Sequence, residues 1–425
     1  MKIFNLKSLI VILILFFSFT GPISAATPSE IATQQGMNIA SKYNPKGTIV
    51  IAEKNGQILY GDNIDAKAPP ASMSKLMTLY LLMEEMEKGK ITFNTKVTVN
   101  DKYWTIARLP MLSNNVFRKG VTYKVSDLIQ LAVTPSSNAA TYMLVNLVEK
   151  EDSDFVDRMN KTAKVLGMKN TRFLNPVGAP NNMLLQYKPK RYQADGDNLT
   201  SARDYAILSQ HLVNEHPEIL KFTKKAFVTV KPGTEDEESF KTYNHSLEGG
   251  QYPFKGADGL KTGSSDTAGF NVTVTAKQQN MRVFAVVLGV QHWLDPDAEY
   301  NRNKMANAVM QDAFNKYEYK KVLTKGVHKF NGKEYFVHKD LYDIVKKDQP
   351  GKLILKDGSV HYDYERQFVS KDYKPASVKY EDYQQYKMKK FWNEHYLSIM
   401  TALIASFLSG LGILIYYYWP KIKKN

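Results

Sequence analysis

The sequence has 425 residues, of which 43% are hydrophobic and 23% are charged, and its formal net charge at pH 7 is +15. This balance is typical of a globular protein of two to three domains, and it excludes disordered, collagen-like and disulfide-scaffold chains. Part of the positive charge lies at the two ends. The mild excess between them suits a polyanionic surface, and no dense basic cluster interleaved with aromatic residues indicates nucleic acid as a partner.

Residues 1–26 have the three parts of a secretory signal peptide. Two lysines precede an apolar stretch from Leu9 to Phe19, and Ser24-Ala-Ala supplies the small residues of a cleavage site. An uncleaved anchor is the alternative, but the apolar run is short and ends at Gly21-Pro22. We therefore expect the signal to be removed and the chain from residue 27 onward to be exported.

The exported chain begins with a predicted hairpin and a predicted buried helix. Two apolar runs, 48–52 and 57–60, flank Asn55-Gly56, which is the two-residue signature of a tight hairpin turn. A largely apolar segment then starts close to Ser72 and meets no helix breaker before Gly89. Because apolar residues surround most of this cylinder, we expect a mostly buried helix.

Further elements define the fold class of this region. Helices are predicted at 125–133 (stopped by Pro135), at about 138–149, after a capping box at Ser201-Ala-Arg-Asp204, and at about 301–317. Strands are predicted at 260–263, 270–276 and 283–290, the last two as antiparallel neighbours across a turn at 278–280. Strands from both ends of the region join one sheet, so the predicted class is α/β with a separate helical lobe.

The C-terminal part is predicted to hold a small domain and an anchor. Residues 320–384 are rich in Tyr, Val, Lys and Asp and carry three turn signals, which indicates a small all-β domain. Residues 385–425 form a basic linker and a transmembrane helix, in which Tyr396 to Trp419 is uncharged and long enough to cross a core of about 30 Å. We therefore expect a single-pass cell-membrane protein with the large domain on the extracellular face and the tail from Lys421 inside.

Several common catalytic chemistries have no support in the sequence. The absence of cysteine excludes thiol catalysis and cysteine-ligated metals, and the eight histidines form no His-Glu-x-x-His pattern. Gly-x-Ser-x-Gly is also missing, and His245 is interpreted as a surface or structural residue. We predict neither a metal nor another cofactor.

Three short motifs carry the chemistry. Ser72-Met-Ser-Lys75 puts a hydroxyl and an amine on one helix face, where Lys75 can take the Ser72 proton if burial and a second cation keep the amine neutral. Ser136-Ser-Asn138 lies between two apolar helices. Lys261-Thr-Gly263 lies on a strand whose small residues let a ligand approach closely. Each motif is weak alone, but their order on helix, loop and strand is a strong signal.

With these motifs the chain resembles the low-molecular-mass penicillin-binding proteins of the D-alanyl-D-alanine carboxypeptidase family. The resemblance covers about residues 28–383 and includes the segments 70–78, 173–178, 202–204 and 258–263. It implies a β-lactamase/transpeptidase-like antiparallel sheet packed with helices over residues 27–319, where penicillin would bind. It also implies peptidoglycan stem peptides ending in D-Ala-D-Ala as substrates and β-lactam antibiotics as covalent inhibitors.

The resemblance also implies a role for each motif residue. Ser72 would attack the peptide carbonyl and form an acyl-enzyme, Lys75 would be the base, and Ser136 would pass a proton to the leaving D-alanine. The backbone amides of Ser72 and Ser264 would form the oxyanion hole. The implied substrate-binding residues are Asn138, Arg203, Lys261, Thr262, Gly263 and Ser264.

Arg203 is supported by a separate physical argument. Ser201 caps the helix, so Arg203 falls in the first turn, where a cation opposes the helix dipole. The alternative is a surface cation, but an unfavourable placement suggests another role. The resemblance associates the arginine of Ala-Arg-Asp with the terminal carboxylate of the substrate, which a guanidinium can bind with two hydrogen bonds.

Rival functions remain open at this point. Many carboxypeptidases have His after Lys-Thr-Gly, whereas this chain has Ser264, so the sequence does not decide between water and a second peptide's amine as acceptor. A D,D-transpeptidase therefore stays an alternative. A β-lactamase is disfavoured because Glu-x-x-Leu-Asn is missing. A non-catalytic wall-binding protein should have lost the serine or a lysine, and this chain keeps both.

Overall fold

The computed structural model describes residues 26–422, so the predicted signal peptide, except Ala26, lies outside the described residues. The chain divides into two compact units. The first ends at Glu318 and also takes in Arg366–Tyr373, and the second comprises Tyr319–Glu365 and the chain from Lys374 onward.

The first unit contains helices and strands in alternating groups. Its helices are α1 Pro28–Gln34, α2 Lys75–Glu87, α3 Asp101–Ile106, α4 Val125–Val133, α5 Asn138–Val148, α6 Asp152–Val165, α7 Ala202–Glu215, α8 Leu220–Thr223 and α9 Pro296–Lys316. Its strands are β1 Gly47–Ala52, β2 Ile58–Asp62, β3 Lys96–Thr98, β4 Thr122–Lys124, β5 Phe227–Val230, β6 Glu238–Lys241, β7 Ala257–Ser265, β8 Gly269–Gln278 and β9 Met281–Val290. Short 3-10 helices lie at Ser41–Tyr43, Ala71–Ser74, Asn181–Tyr187 and Pro217–Ile219.

One five-stranded antiparallel sheet organises this unit. Its strand order is β2-β1-β9-β8-β7, so strands from both ends of the region join one sheet as the sequence predicted. The predicted pairing of β8 with β9 is also confirmed. Strand β7 lies at the edge of the sheet, and its outer side is therefore free to approach another part of the chain.

Three polar residues in the middle of β8 do not face solvent. Asn271, Thr273 and Thr275 alternate with apolar neighbours and are all fully buried, so both faces of this part of the sheet are covered. Asn271 is accommodated because its amide donates to the Pro69 carbonyl and accepts from the Gly289 amide. Helices α7 and α9 both pack against β9.

The helices that flank the motifs are close to their predicted positions. Helix α4 ends at Val133, two residues before Pro135, and α5 begins at Asn138. Helix α2 follows directly after the 3-10 turn Ala71–Ser74, and its first nine residues are buried in the main core. An apolar cylinder without a breaker therefore became a central helix, as its composition indicated.

Three local predictions differ from the structure. The hairpin between β1 and β2 uses a longer turn than Asn55-Gly56, because Ala52 pairs with Gln57 across it and Gly56 takes a left-handed φ of +63°. Helix α9 starts at Pro296, where Asp295 caps it. Ser201 caps α7 through the Asp204 amide, but the Asp204 carboxylate accepts from Asn170 and Thr171, so the capping box is not closed.

The second unit is rich in β-structure, as predicted. Its elements are β11 Gly326–Phe330, β12 Lys333–Val337, β13 Leu341–Lys346, β14 Lys352–Lys356, β15 Ser359–Asp363, β16 Ser377–Asp382 and helix α10 Tyr383–Ile422, preceded by β10 Tyr317–Leu323. Five of the strands form a sheet in the order β11-β12-β16-β15-β14, and β10 pairs with β13.

A short segment inside the predicted β domain belongs to the first unit. The carbonyl of Gln367 accepts from the Ile58 amide at 2.8 Å, and the amide of Val369 donates to the Gly56 carbonyl at 2.8 Å. The chain thus returns to the β1–β2 hairpin after strands β10 to β15. The sequence contained no signal of this return.

Helix α10 includes the predicted basic linker as well as the predicted anchor. Its span Tyr383–Trp419 is long and apolar enough to cross a membrane, and its most apolar 18-residue stretch has a mean hydropathy of 2.1. Most of the large apolar side chains from Leu397 to Trp419 are exposed.

Candidate active site

Ser72 and Lys75 meet at the start of α2. The 3-10 turn Ala71–Ser74 presents Ser72, and the first residue of α2 is Lys75, so the two side chains lie on one face. Lys75 Nζ lies 2.9 Å from Ser72 Oγ, within hydrogen-bond distance. Ser72 is partly exposed, whereas Lys75 is fully buried.

The Lys75 amine is surrounded by oxygen atoms. It lies 3.3 Å from Ser136 Oγ, 2.9 Å from Asn138 Oδ1 and 3.2 Å from the Val177 carbonyl oxygen. Burial lowers the pKa of Lys75 well below its ordinary value, and the nearby charge of Lys261 lowers it further. Both causes were predicted from the sequence, and together they favour the neutral amine that can accept a proton.

The segment 136–138 joins α4 to α5 in a constrained conformation. Ser136 has a left-handed φ of +62° and is buried, which turns its hydroxyl toward Lys75. Asn138 Nδ2 donates to the Ser113 carbonyl at 3.0 Å, so its Oδ1 faces the amine. Ser137 caps α5 by accepting from the Ala140 amide, and its hydroxyl donates to Asn115 Oδ1.

The third motif lies on the edge strand β7. Lys261 is buried, and its amine donates to the Thr262 carbonyl at 2.9 Å. Burial and the neighbouring Arg302 lower the pKa of Lys261 to about 7. Thr262, Gly263 and Ser264 face the same cleft as Ser72. The structure thus brings all three motifs together.

Two adjoining cavities of about 310 and 460 Å³ meet at Ser72. The smaller has an apolar side formed by Met111, Leu112, Ala179, Pro180 and Met183, and the larger is lined by Ser136, Tyr243, Thr262 and Glu299 among others. Four residues line both cavities: Ser72, Ser113, Ser264 and Trp293. The candidate nucleophile therefore lies where the two cavities meet, and each cavity offers space for part of a bound peptide.

Two contributors to this site were missed in the sequence. Arg302 of α9 is buried, and it donates to the carbonyls of Tyr243 at 3.1 Å and of Asn271 at 3.3 Å. Burial lowers the pKa of Arg302 to about 10. The second contributor is the Val177 carbonyl, a backbone group that no side-chain pattern reveals. Arg302 gave no signal because it lies 39 residues from Gly263 in a mostly polar helix.

Arg203 is not part of this cluster, which corrects the prediction for this residue. Its guanidinium forms two hydrogen bonds with the Asp65 carboxylate, at 2.7 and 2.8 Å, and a third with the Val369 carbonyl. It lines neither cavity. The unfavourable placement in the first turn is offset by Asp65, which lies 138 residues away in the sequence and was therefore invisible to a local argument.

The remaining polar clusters do not suggest a metal centre. Among residues 26–422, no group of three or more histidine or acidic side chains is arranged to hold a metal ion. His245 is largely buried, with Nε2 2.9 Å from Glu299 Oε1.

Comparisons with known proteins show which family the chain belongs to. The family described as D-alanyl-D-alanine carboxypeptidase, peptidase S11, matches residues 32–292, and a domain of unknown function (DUF1958) matches residues 319–381. The D-alanyl-D-alanine carboxypeptidase DacF of Bacillus subtilis is 28% identical over 352 residues, which are 81% of each chain.

Solved structures show the same architecture. PBP3 of Streptococcus pneumoniae, a peptidoglycan synthesis regulatory factor, superposes with a TM-score of 0.68 at 24% identity over 80% of this chain and 99% of that one. Penicillin-binding protein D2 of Listeria monocytogenes, solved with bound ampicillin, gives a TM-score of 0.52 at 27% identity over 64% and 97%.

The fold is that of the low-molecular-mass penicillin-binding proteins. Since the family match covers more than half of the sequence, the chain belongs to the D-alanyl-D-alanine carboxypeptidase family. It is a serine carboxypeptidase, as the three motifs predicted.

Proposed function

We propose that the protein removes the terminal D-alanine from peptidoglycan stem peptides that end in D-Ala-D-Ala, through an acyl-enzyme on Ser72. The observation that carries this proposal is the buried Lys75 amine 2.9 Å from Ser72 Oγ, with its pKa lowered by burial and by Lys261. A neutral amine at this distance can take the hydroxyl proton as the oxygen attacks the peptide carbonyl.

The other groups of the cluster complete the reaction. Ser136 Oγ, 3.3 Å from the amine, can pass the proton to the leaving nitrogen of D-alanine. Ser72 and Ser264 line the cleft, and their backbone amides would stabilise the oxyanion. Water then hydrolyses the ester, and Lys75 acts as base for this second step.

Recognition of the terminal carboxylate is assigned to β7. Lys261 of β7 and Arg302 of α9 are buried cations, and Thr262 and Ser264 line the cleft. Asn138 would hold the substrate amide. Arg203 has no part in this step, because its guanidinium is occupied by Asp65.

A β-lactam ring presents a strained amide next to a carboxylate, and it would acylate Ser72 in the same way. The ampicillin-bound relative from Listeria monocytogenes supports this expectation. We further propose that α10 anchors the enzyme in the cell membrane, with the catalytic unit on the extracellular face where the substrate lies.

Cross-linking by the same site is the second candidate. The two cavities that meet at Ser72 give room for a donor peptide and for an acceptor amine in place of water. Incubation with a D-Ala-D-Ala stem peptide, with and without an amine acceptor, followed by mass spectrometry would measure both products.

The nucleophile is tested with a matched pair of serine variants. Ser72→Ala should abolish labelling by a fluorescent penicillin and release of D-alanine. Ser74→Ala is the control, because the Ser74 hydroxyl lies in the same turn but accepts from Asn198 Nδ2 at 2.8 Å. Labelling that persists in Ser72→Ala would show that another group is acylated.

A further inference from the structure

The Lys75 amine has more oxygen neighbours than a neutral amine has N–H donors. Four oxygens lie within 3.3 Å of Nζ: those of Ser72, Ser136, Asn138 and Val177. A neutral primary amine carries two N–H donors and one lone pair, so the direction of the lone pair depends on which neighbours take the two hydrogens.

Two of the four oxygens can only accept. The Val177 oxygen is a backbone carbonyl, and Asn138 Oδ1 is fixed as the acceptor end of its amide because Nδ2 donates to Ser113. These two oxygens therefore take both hydrogens of the amine. The lone pair is left for a hydroxyl, and Ser72 at 2.9 Å is closer than Ser136 at 3.3 Å.

The Val177 carbonyl is held in place by a buried asparagine. Asn175 Oδ1 accepts from the amides of Val177 at 3.1 Å and Gly178 at 2.6 Å, while its Nδ2 donates to the Ala179 carbonyl at 2.7 Å. Asn175 is fully buried and lines neither cavity, although it bonds to Gly178 and Ala179 in the wall of the smaller one. The Thr78 hydroxyl of α2 also bonds to this loop, by donating to the Pro176 carbonyl at 2.7 Å.

We propose that Asn175 is a positioning residue for acylation: by fixing the Val177 carbonyl against Lys75, it occupies one amine hydrogen and directs the lone pair to Ser72. This inference rests on the proposed function, because it takes Lys75 as the base for Ser72. No bond to the substrate is made by Asn175 itself.

The test measures acylation by a chromogenic cephalosporin in Asn175→Ser. The shorter side chain loses some of the hydrogen bonds that Asn175 makes to Val177, Gly178 and Ala179. We expect the acylation rate constant to fall about tenfold or more, within the range that general-base catalysis contributes. The dissociation constant of the non-covalent complex should change less than about twofold, since Asn175 does not line the cleft.

The pH profile separates positioning from general loosening. If the amine loses the Val177 acceptor, its cation is less stabilised, so the acid limb of the acylation rate should stay in place or move to lower pH. A loosened site that admits water would instead raise the pKa of Lys75 and move the limb upward. An upward shift would overturn the proposal.

Two further variants serve as a control and as a replacement for Asn175→Ser. Asn160→Ser is the control, because Asn160 bonds both backbone groups of Phe173 just before the loop but not Val177 or Gly178. Its acylation rate should match that of the wild type, and equal losses in both variants would contradict the proposal. If Asn175→Ser does not fold, Thr78→Val replaces it in the test. We expect a smaller fall in its acylation rate constant, again with little change in the dissociation constant. An unlabelled wild type would refute the proposed function itself, whereas a labelled wild type with unaffected variants would refute only this inference.

Discussion

Gly263 passes so close to the turn of Ser72 that a Cβ at residue 263 would lie 3.1 Å from the Ser72 backbone nitrogen. The same atom would lie 2.4 Å from the Pro70 carbonyl oxygen, closer than any ordinary contact. The edge strand β7 and the turn that carries Ser72 therefore approach each other at the backbone, and residue 263 has no room for a Cβ.

Replacement of this glycine should disable the site. Gly263→Ala must move β7 away from Ser72, and a displacement of about 1 Å at a reacting group can cost about 100-fold in rate. We expect penicillin acylation to slow by that order while the protein remains folded. Acylation rates and a thermal melt measure the two effects, and an unchanged rate would mean that the strand can shift without moving the site.

The charge of Lys261 should be visible in the pH profile of acylation. Because Lys261 lowers the pKa of Lys75, a neutral replacement should raise that pKa, and less of the amine is then deprotonated at a given pH. In Lys261→Met the acid limb should move to higher pH. Since the pKa of Lys261 itself is about 7, the effect should be largest below that pH.

Lys277→Met is the matched control for this experiment. Lys277 lies on the neighbouring strand β8 with its side chain exposed, so its removal should leave the acid limb unchanged. A limb that does not move in Lys261→Met would show that burial alone sets the pKa of Lys75.

Arg203 should contribute to stability and not to substrate recognition. The pair with Asp65 is partly exposed, with side-chain exposures of 26% and 54%, so Arg203→Ala should cost about 1 kcal/mol of unfolding free energy or less. Kinetics with a free carboxylate substrate and with its amide should both match the wild type. A selective loss on the free carboxylate would restore the sequence-based prediction.

A soluble form of the enzyme should keep full acylation activity. A truncated protein of residues 27–390 retains Tyr386, whose ring stacks on Phe336 of β12 with centroids 3.7 Å apart, and lacks the uncharged stretch from Tyr396. We expect it to stay in solution without detergent, whereas the full chain requires detergent. Penicillin labelling of both forms at equal concentration is the measurement.

The residues that could be predicted are those whose signal is local. Pro135 set the end of α4, and the spacing of Ser72 and Lys75 placed both on one helix face. Composition showed that α2 is buried, and burial predicted the lowered pKa of Lys75. Such features need no knowledge of which distant segment packs against them.

The residues that escaped prediction depend on contacts between distant segments. Asp65 neutralises Arg203 from 138 residues away, so a dipole argument confined to the first turn of α7 reached the wrong partner for that residue. The Val177 carbonyl is a main-chain group, and Arg302 reaches β7 and β8 only because α9 packs on the sheet. Periodicity describes the face of one element and not its neighbour.

The return of Arg366–Tyr373 to the β1–β2 hairpin has an evolutionary consequence. The match to the peptidase family ends at residue 292, and the match to the second domain begins at residue 319. The first unit nevertheless includes Arg366–Tyr373, which lies within the second match. Recombination between relatives at a point between residues 292 and 319 would also replace Arg366–Tyr373, the segment that bonds to Gly56 and Ile58. The two regions should therefore be inherited together, as a pair whose sequences diverge in step.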